Sequence, residues 1–137
     1  EPVQSAGSTL FILESGYNDY WWWVHRNLSN SSSEVSLDEM ELFVENVTTA
    51  SFRSVERLVA GSQLQAHHFL ITNLPPMADF PEAATYSFNK LLAYKYITER
   101  HNELLVDKLN AFFQRAAGDT TIELLDLHGL YTNVLSD

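Results

Sequence analysis

Cysteine is absent from the 137 residues. That excludes disulfide bridges and thiolate metal sites but leaves the redox compartment open, since many secreted proteins of this size manage without bridges. Basic residues are scarce: 8 Lys and Arg stand against 18 Asp and Glu, a net charge of −10. A surface of that sign repels phosphate backbones and anionic lipid, so nucleic acid is not expected as a partner. Long apolar runs are missing too. The longest, such as Leu10 to Leu13 and Trp21 to Val24, fall far short of the ~20 residues that cross a bilayer, and no membrane span is expected. The chain opens on Glu1 with neither an initiating Met nor a basic-then-apolar leader, as expected of a processed product or a piece of something longer.

What is present points to a single folded unit over residues 1–137, because 45% hydrophobic content suffices for a buried core. Three Asn-x-Ser/Thr acceptor sequences, at Asn27, Asn30 and Asn46, crowd a short and partly Ser/Asn-rich stretch. Their spacing favours a secretory route, with glycosylation at those three asparagines.

Thr9 to Glu14 is a continuous apolar block, as expected for a strand covered on both faces of a parallel sheet. Ser15 to about Val35 reads as a loop carrying the aromatic cluster Tyr17, Tyr20, Trp21, Trp22 and Trp23 and the exposed polar stretch Asn27 to Ser33. Ser36 and Glu39 offer a capping box. The helix it opens runs to about Ala60, with Leu37, Met40, Val44, Val47, Val55, Leu58 and Val59 as its apolar face and Gly61 as its stop. His68 to Thr72 reads as a second strand, ended by Asn73-Leu74-Pro75-Pro76. A second helix is expected from about Tyr86 to Ala116. Its stripe is Leu91, Tyr94, Ile97, His101, Leu104, Leu105, Leu109, Phe112 and Phe113, with Gly118 as its end. Thr121 to Leu127 gives a third strand.

This order implies an α/β fold with parallel strands and right-handed crossovers. If the strands lie side by side in chain order, both helices cover one face and leave the other bare, although the strands read as doubly buried. That mismatch implies a fragment or an obligate partner. In such sheets chemistry collects beyond the carboxyl ends of the strands. Three segments meet that edge: Gly16-Tyr17-Asn18-Asp19, Asn73-Leu74-Pro75-Pro76 and Asp126-Leu127-His128-Gly129. Ser15 carries no mark of activation and reads as a polar strand end. His67 and His68 are adjacent and face oppositely, so no metal and no cofactor are expected. Asp126 reads as a turn residue and His128 as a surface one.

Leu10 to Asp19, an apolar strand followed by Gly-x-Asn-Asp, resembles the third conserved block of the GDSL (SGNH) hydrolase family. Phe69 to Met77 is similar to the strand and Asn-Leu-Pro-Pro turn of its plant and fungal members. His101-Asn102-Glu103-Leu104-Leu105 is similar to the family helix bearing Asn-x-x-Leu, and Ile122 to Leu130 to the strand and turn that follow. These matches run in order over nearly the whole chain. The resemblance implies an incomplete three-layer, flavodoxin-like fold and a portion of a secreted carboxylic ester hydrolase, acting on acylated carbohydrate or lipid. Asn18 would then donate its amide to an oxyanion, with Gly16 allowing a close backbone turn and Asp19 bracing the loop. Tyr17, Tyr20, Trp21 and Asn73 would contact substrate. At least one of the three tryptophans should be reachable by ligand. The family's Gly-Asp-Ser nucleophile segment and Asp-x-x-His segment do not occur here, so this chain alone is expected to be catalytically incomplete. The alternative is a non-catalytic carbohydrate- or lipid-binding module with an aromatic platform.

Overall fold

The apolar blocks form strands, as their composition requires. In the computed structural model, which describes residues 9–29, 35–60, 67–115 and 120–135, β1 is Leu10–Leu13, β2 is His68–Thr72 and β3 is Thr121–Leu125. They form one parallel sheet in the order β1-β2-β3. Phe11 pairs with Phe69 and Phe69 with Ile122, while Leu13 pairs with Ile71. Four α-helices accompany the sheet among the described residues: α1 (Tyr17–Asn27), α2 (Leu37–Ala60), α3 (Phe88–Arg115) and α4 (Leu127–Leu135). Two short 3-10 turns, Met77–Asp79 and Pro81–Thr85, carry the chain from β2 to α3. Among the described residues no helix is long and apolar enough to cross a membrane.

The capping box forms. Ser36 N–H donates to Glu39 Oε2 at 3.0 Å, and Glu39 N–H to Ser36 Oγ at 3.2 Å, satisfying two donors that a helix start leaves without partners. From there α2 buries Met40, Val44, Thr48, Phe52 and Val55. Leu37, expected on that face, is exposed because it lies at the very start of the helix. Thr48 belongs to the buried stripe because its hydroxyl donates to the Val44 carbonyl at 2.7 Å, which removes the cost of burying it. On α3 the stripe is Ala93, Tyr94, Ile97, Thr98, His101, Leu105, Leu109 and Phe112, with Phe113 turned outward. The two long helices are also tied by Glu41, which accepts from Arg100 at 2.6 Å and from the Tyr96 hydroxyl at 2.7 Å. The guanidinium holds the Glu41 carboxyl below its usual range.

Both long helices lie on one side of the sheet. Phe69 and Ile71 of β2 share a core with Phe52 and Val55 of α2 and with Leu105, Leu109 and Phe112 of α3, and Phe11, Leu13 and Ile122 pack against it. Full burial of a side chain such as Phe69 contributes roughly 2 kcal/mol. Alternate strand residues point the other way. There Leu10 is 55% exposed and Ile12 66%, so the second face of the sheet at β1 is uncovered.

Two expectations are corrected. Tyr17 to Asn27 is helix rather than loop. Bulky aromatic residues are only middling helix formers, but Tyr20, Val24 and the following Leu28 recur at helical spacing and are fully or almost fully buried against Met40, Val44, Tyr94 and Ile97. Packing of that face outweighs local propensity. The third strand stops at Leu125, and Leu127 opens α4 instead. Asp126 Oδ1 accepts the Gly129 N–H at 2.9 Å in the manner of a helix cap. The expected helix stops Gly61 and Gly118, with Ala116, lie outside the described residues.

Candidate functional site

Because the strands are parallel, the turns after β1, β2 and β3 emerge at one edge, and each was expected to carry function. The first is built on Gly16, whose φ of 98° is a conformation that favours glycine. A Cβ there would stand 3.0 Å from Tyr20 Cε2 and 3.2 Å from His101 Cε1. The turn therefore rests directly on two rings. Gly16 also accepts the Tyr20 N–H at 3.0 Å, which starts α1 without any side-chain cap.

Beneath the turn lies a buried polar knot. The Tyr20 hydroxyl and His101 Nδ1 are hydrogen-bonded at 2.8 Å, and Thr48 Oγ1 lies 3.3 Å from the same nitrogen. Burial alone pulls the His101 imidazole down to about 4, so it stays neutral, and burial likewise raises the Tyr20 phenol. His101 was expected simply as part of the α3 stripe. Its place among apolar neighbours was the hint in the sequence that it has a polar partner, since a buried ring nitrogen must be satisfied.

Tyr20 was expected to touch substrate. That expectation is corrected: Tyr20 is wholly buried and its hydroxyl is engaged. Its neighbours divide the aromatic work. Tyr17 is half-buried and sits by Phe80, with ring centroids 6.3 Å apart. Trp21 is half-buried and stacks on His25 at 4.2 Å, and Trp23 stacks on Phe43 of α2 at 5.0 Å. Trp22 is 67% exposed and meets Trp21 edge-on.

Asn18, the second residue of α1, is exposed, and its side chain makes no hydrogen bond among the described residues. It faces a shallow hollow of about 330 Å³ lined by Asp19, Trp22, Trp23, Arg26 and Phe43. Asn18, Trp22 and Arg26 follow one another at single-turn spacing, so one helix face presents an amide, an indole and a guanidinium. Trp22 is the reachable tryptophan expected of the aromatic cluster, whereas Arg26 and Phe43 were not singled out because that spacing acquires meaning only once the segment is read as helix. Asp19 does not brace the turn as expected. Its carboxylate makes no hydrogen bond among the described residues and lies in the first turn of α1, where negative charge favours the helix dipole.

Asn73 behaves differently. Its Nδ2 donates to Asp126 Oδ1 at 2.8 Å, and its Oδ1 accepts the His128 N–H at 3.0 Å. Its own N–H donates to the Leu125 carbonyl at 3.2 Å. Leu74 is gripped from α3, its N–H donating to Asn102 Oδ1 at 2.8 Å and its carbonyl accepting from Asn102 Nδ2 at 3.0 Å. The Gly129 N–H, then the Asn73 amide, hold the Asp126 carboxyl below its usual range. Asp126, read from the sequence as a turn residue, does stand in the turn between β3 and α4 and caps that helix, while His128, read as a surface residue, is half-buried within α4. Among the described residues no group of three or more His, Asp or Glu side chains converges as metal ligands would.

Of the acceptor asparagines, Asn27 ends α1 and Asn46 lies on α2, so both stand on helices and both are exposed. Asn30 lies outside the described residues. No protein-family model matches the chain, and no curated protein matches it.

Proposed function

We propose that this chain is the central portion of a secreted ester hydrolase of the GDSL (SGNH) type, with Asn18 as an oxyanion donor. The observation that carries the reading is the state of Asn18: an exposed carboxamide at the carboxyl edge of a parallel sheet, next to a glycine turn, with no bond inside the described fold. A neutral amide held there offers a donor where negative charge develops on the carbonyl oxygen of an ester under attack. The residue order further supports it, since the Gly-x-Asn-Asp, Asn-Leu-Pro-Pro and Asn-x-x-Leu segments follow one another as in that family. In this reading the nucleophilic serine and its base come from Gly-Asp-Ser and Asp-x-x-His segments outside these residues. The uncovered face of the sheet receives the rest of a three-layer, flavodoxin-like domain, and the substrate is an acylated carbohydrate or a lipid ester.

The test starts with the source transcript on either side of this segment. Both missing blocks in frame are expected. In the full protein Asn18→Ala should then lower kcat by about 100- to 1000-fold with little change in KM. An unchanged kcat sinks the oxyanion role, and unrelated flanking sequence sinks the hydrolase.

A second reading has its own observation. Trp22, 67% exposed beside the hollow at Asn18, is an aromatic platform of the kind that stacks on sugar rings or acyl chains. A binding module without catalysis would show quenching of Trp fluorescence by an oligosaccharide and no turnover of a small acetyl ester.

A further inference from the structure

Two of the acceptor asparagines, far apart in the chain, meet across one groove. Asn27 and Asn46 both line a hollow of about 360 Å³ between α1 and α2. The same hollow is floored by Trp23, Phe43 and Leu42. On each helix an aromatic ring precedes the asparagine by about one turn: Trp23 before Asn27, and Phe43 before Asn46. Residues three or four apart share a helix face, so each asparagine lies on the same face as the ring before it. The two rings stack on one another, with centroids 5.0 Å apart and planes 14° apart. Leu42 beside them is 61% exposed. Val35 and Glu39 complete the lining, which is more polar than apolar, so the half-buried rings and Leu42 form a narrow apolar strip within it, with an acceptor asparagine at each side.

We propose that Asn27 and Asn46 both carry N-linked glycans and that the two glycans share this groove, their innermost sugars lying on the Trp23–Phe43 stack. The apolar face of a sugar ring covers an aromatic ring well, and the bulk above it is hydrophilic, so the strip becomes a solvated surface. At each site the asparagine Nδ2 bonds to C1 of the first sugar of a polyprenyl-pyrophosphate-linked oligosaccharide. The bond from C1 to the pyrophosphate oxygen breaks, the amide loses one proton to a base, and the lipid pyrophosphate leaves. The second amide proton stays. Asn27 can therefore keep its bond to the Trp23 carbonyl, now 2.8 Å, after modification.

The fold also sets an order. Modification at Asn46 requires the Thr48 hydroxyl, which is fully buried and donates to the Val44 carbonyl. Asn46 is therefore glycosylated before α2 packs against α3. Ser29, the third residue of the Asn27 site, is exposed just beyond α1, so Asn27 accepts its glycan before or after folding.

This proposal rests on the secretory reading alone and is independent of any hydrolytic chemistry. The full chain is secreted from a eukaryotic host behind a cleavable leader, and occupancy is read by peptide mass. A Trp21→Phe, Trp22→Phe background leaves Trp23 as the only indole, and acrylamide quenching is measured before and after native enzymatic deglycosylation. Both asparagines should be occupied, with Asn27→Gln and Asn46→Gln each losing one glycan. The quenching constant of Trp23 should rise roughly twofold once the sugars are removed. A purified oligosaccharyltransferase should modify Asn46 only in the unfolded chain and Asn27 in both states. An unoccupied Asn46 or Asn27 in the secreted chain overturns the proposal. So does full occupancy with unchanged quenching, which would place the glycans away from the groove. Neither result bears on Asn18, which kcat of the full protein judges separately.

Discussion

Two asparagines follow two neighbouring strands at the same edge of the sheet, Asn73 directly after β2 and Asn18 at the start of the helix after β1, and the fold treats them in opposite ways. Asn73 is nearly buried and both ends of its carboxamide are bonded, to Asp126 and to the His128 N–H. Asn18 is exposed and its side chain bonds nothing among the described residues, while the support beneath its turn comes from Gly16, Tyr20 and His101. An amide that holds structure is bonded at both its nitrogen and its oxygen. One available for chemistry is carried by other residues. Of the two, Asn18 is the one whose carboxamide has no bond among the described residues.

The largest test of the contrast concerns the support under Asn18. His101 is neutral in the fold down to about 4, whereas an imidazole in water takes a proton near 6.5. Below 6.5 the unfolded chain binds a proton that the folded one does not. The stabilisation is complete above that pH and is lost as pH falls toward 4, by about 3 kcal/mol. Urea midpoints between pH 7 and pH 4 should fall more steeply for the natural chain than for His101→Gln. Parallel slopes would mean that the ring is not held neutral. Next comes Asn73→Ala, which strips partners from Asp126 and from the start of α4 and should cost about 2 kcal/mol. Faster amide exchange confined to α4 and the end of β3 is the expected signature, and uniform exchange would break the assignment of Asn73 as a clasp. Gly16→Ala should cost about 1–2 kcal/mol, from strain at positive φ and from the Tyr20 and His101 rings that the new methyl meets. Thermal unfolding measures it, and a neutral result would mean that the turn relaxes. Smallest is Asn18→Ala, expected within about 0.5 kcal/mol of the natural chain. A larger loss would make Asn18 a structural residue like Asn73 and remove the contrast.

The strands and the two long helices were legible because their patterns are strong and local. Leu10 to Leu13 and His68 to Thr72 are short apolar blocks, and the Ser36–Glu39 box marks a helix start in four residues. The uncovered sheet face followed from crossover handedness only on the condition that the strands lie in chain order, which they do. The helix α1 was not legible, because Tyr, Trp and Asn in succession have no strong local preference and only burial against α2 and α3 decides the matter. Once α1 was missed, the single-turn series Asn18, Trp22, Arg26 had no meaning, and Tyr20 was taken for a contact rather than a buried prop. α4 was missed for a related reason. Its cap is Asp126, which reads equally well as a turn, and its residues Leu130 and Val134 remain exposed, so no buried stripe marks it out.

The parallel sheet has a consequence for the rate at which the chain reaches its fold. His68 and Thr121, side by side in the sheet, are 53 residues apart in the chain, and Leu10 reaches His68 across a comparable stretch. Every strand pairing therefore closes a long loop, and that entropy is lost before the ladder returns anything. Each helix forms from bonds within a turn of chain, and only the docking of one helix on another closes loops of comparable length. Strand docking is accordingly slow, and the edge strands β1 and β3, each with a single neighbour, are held less than β2. β1 should exchange its amides before β2 and be protected after it during refolding, which makes the turn bearing Asn18 a late product of folding.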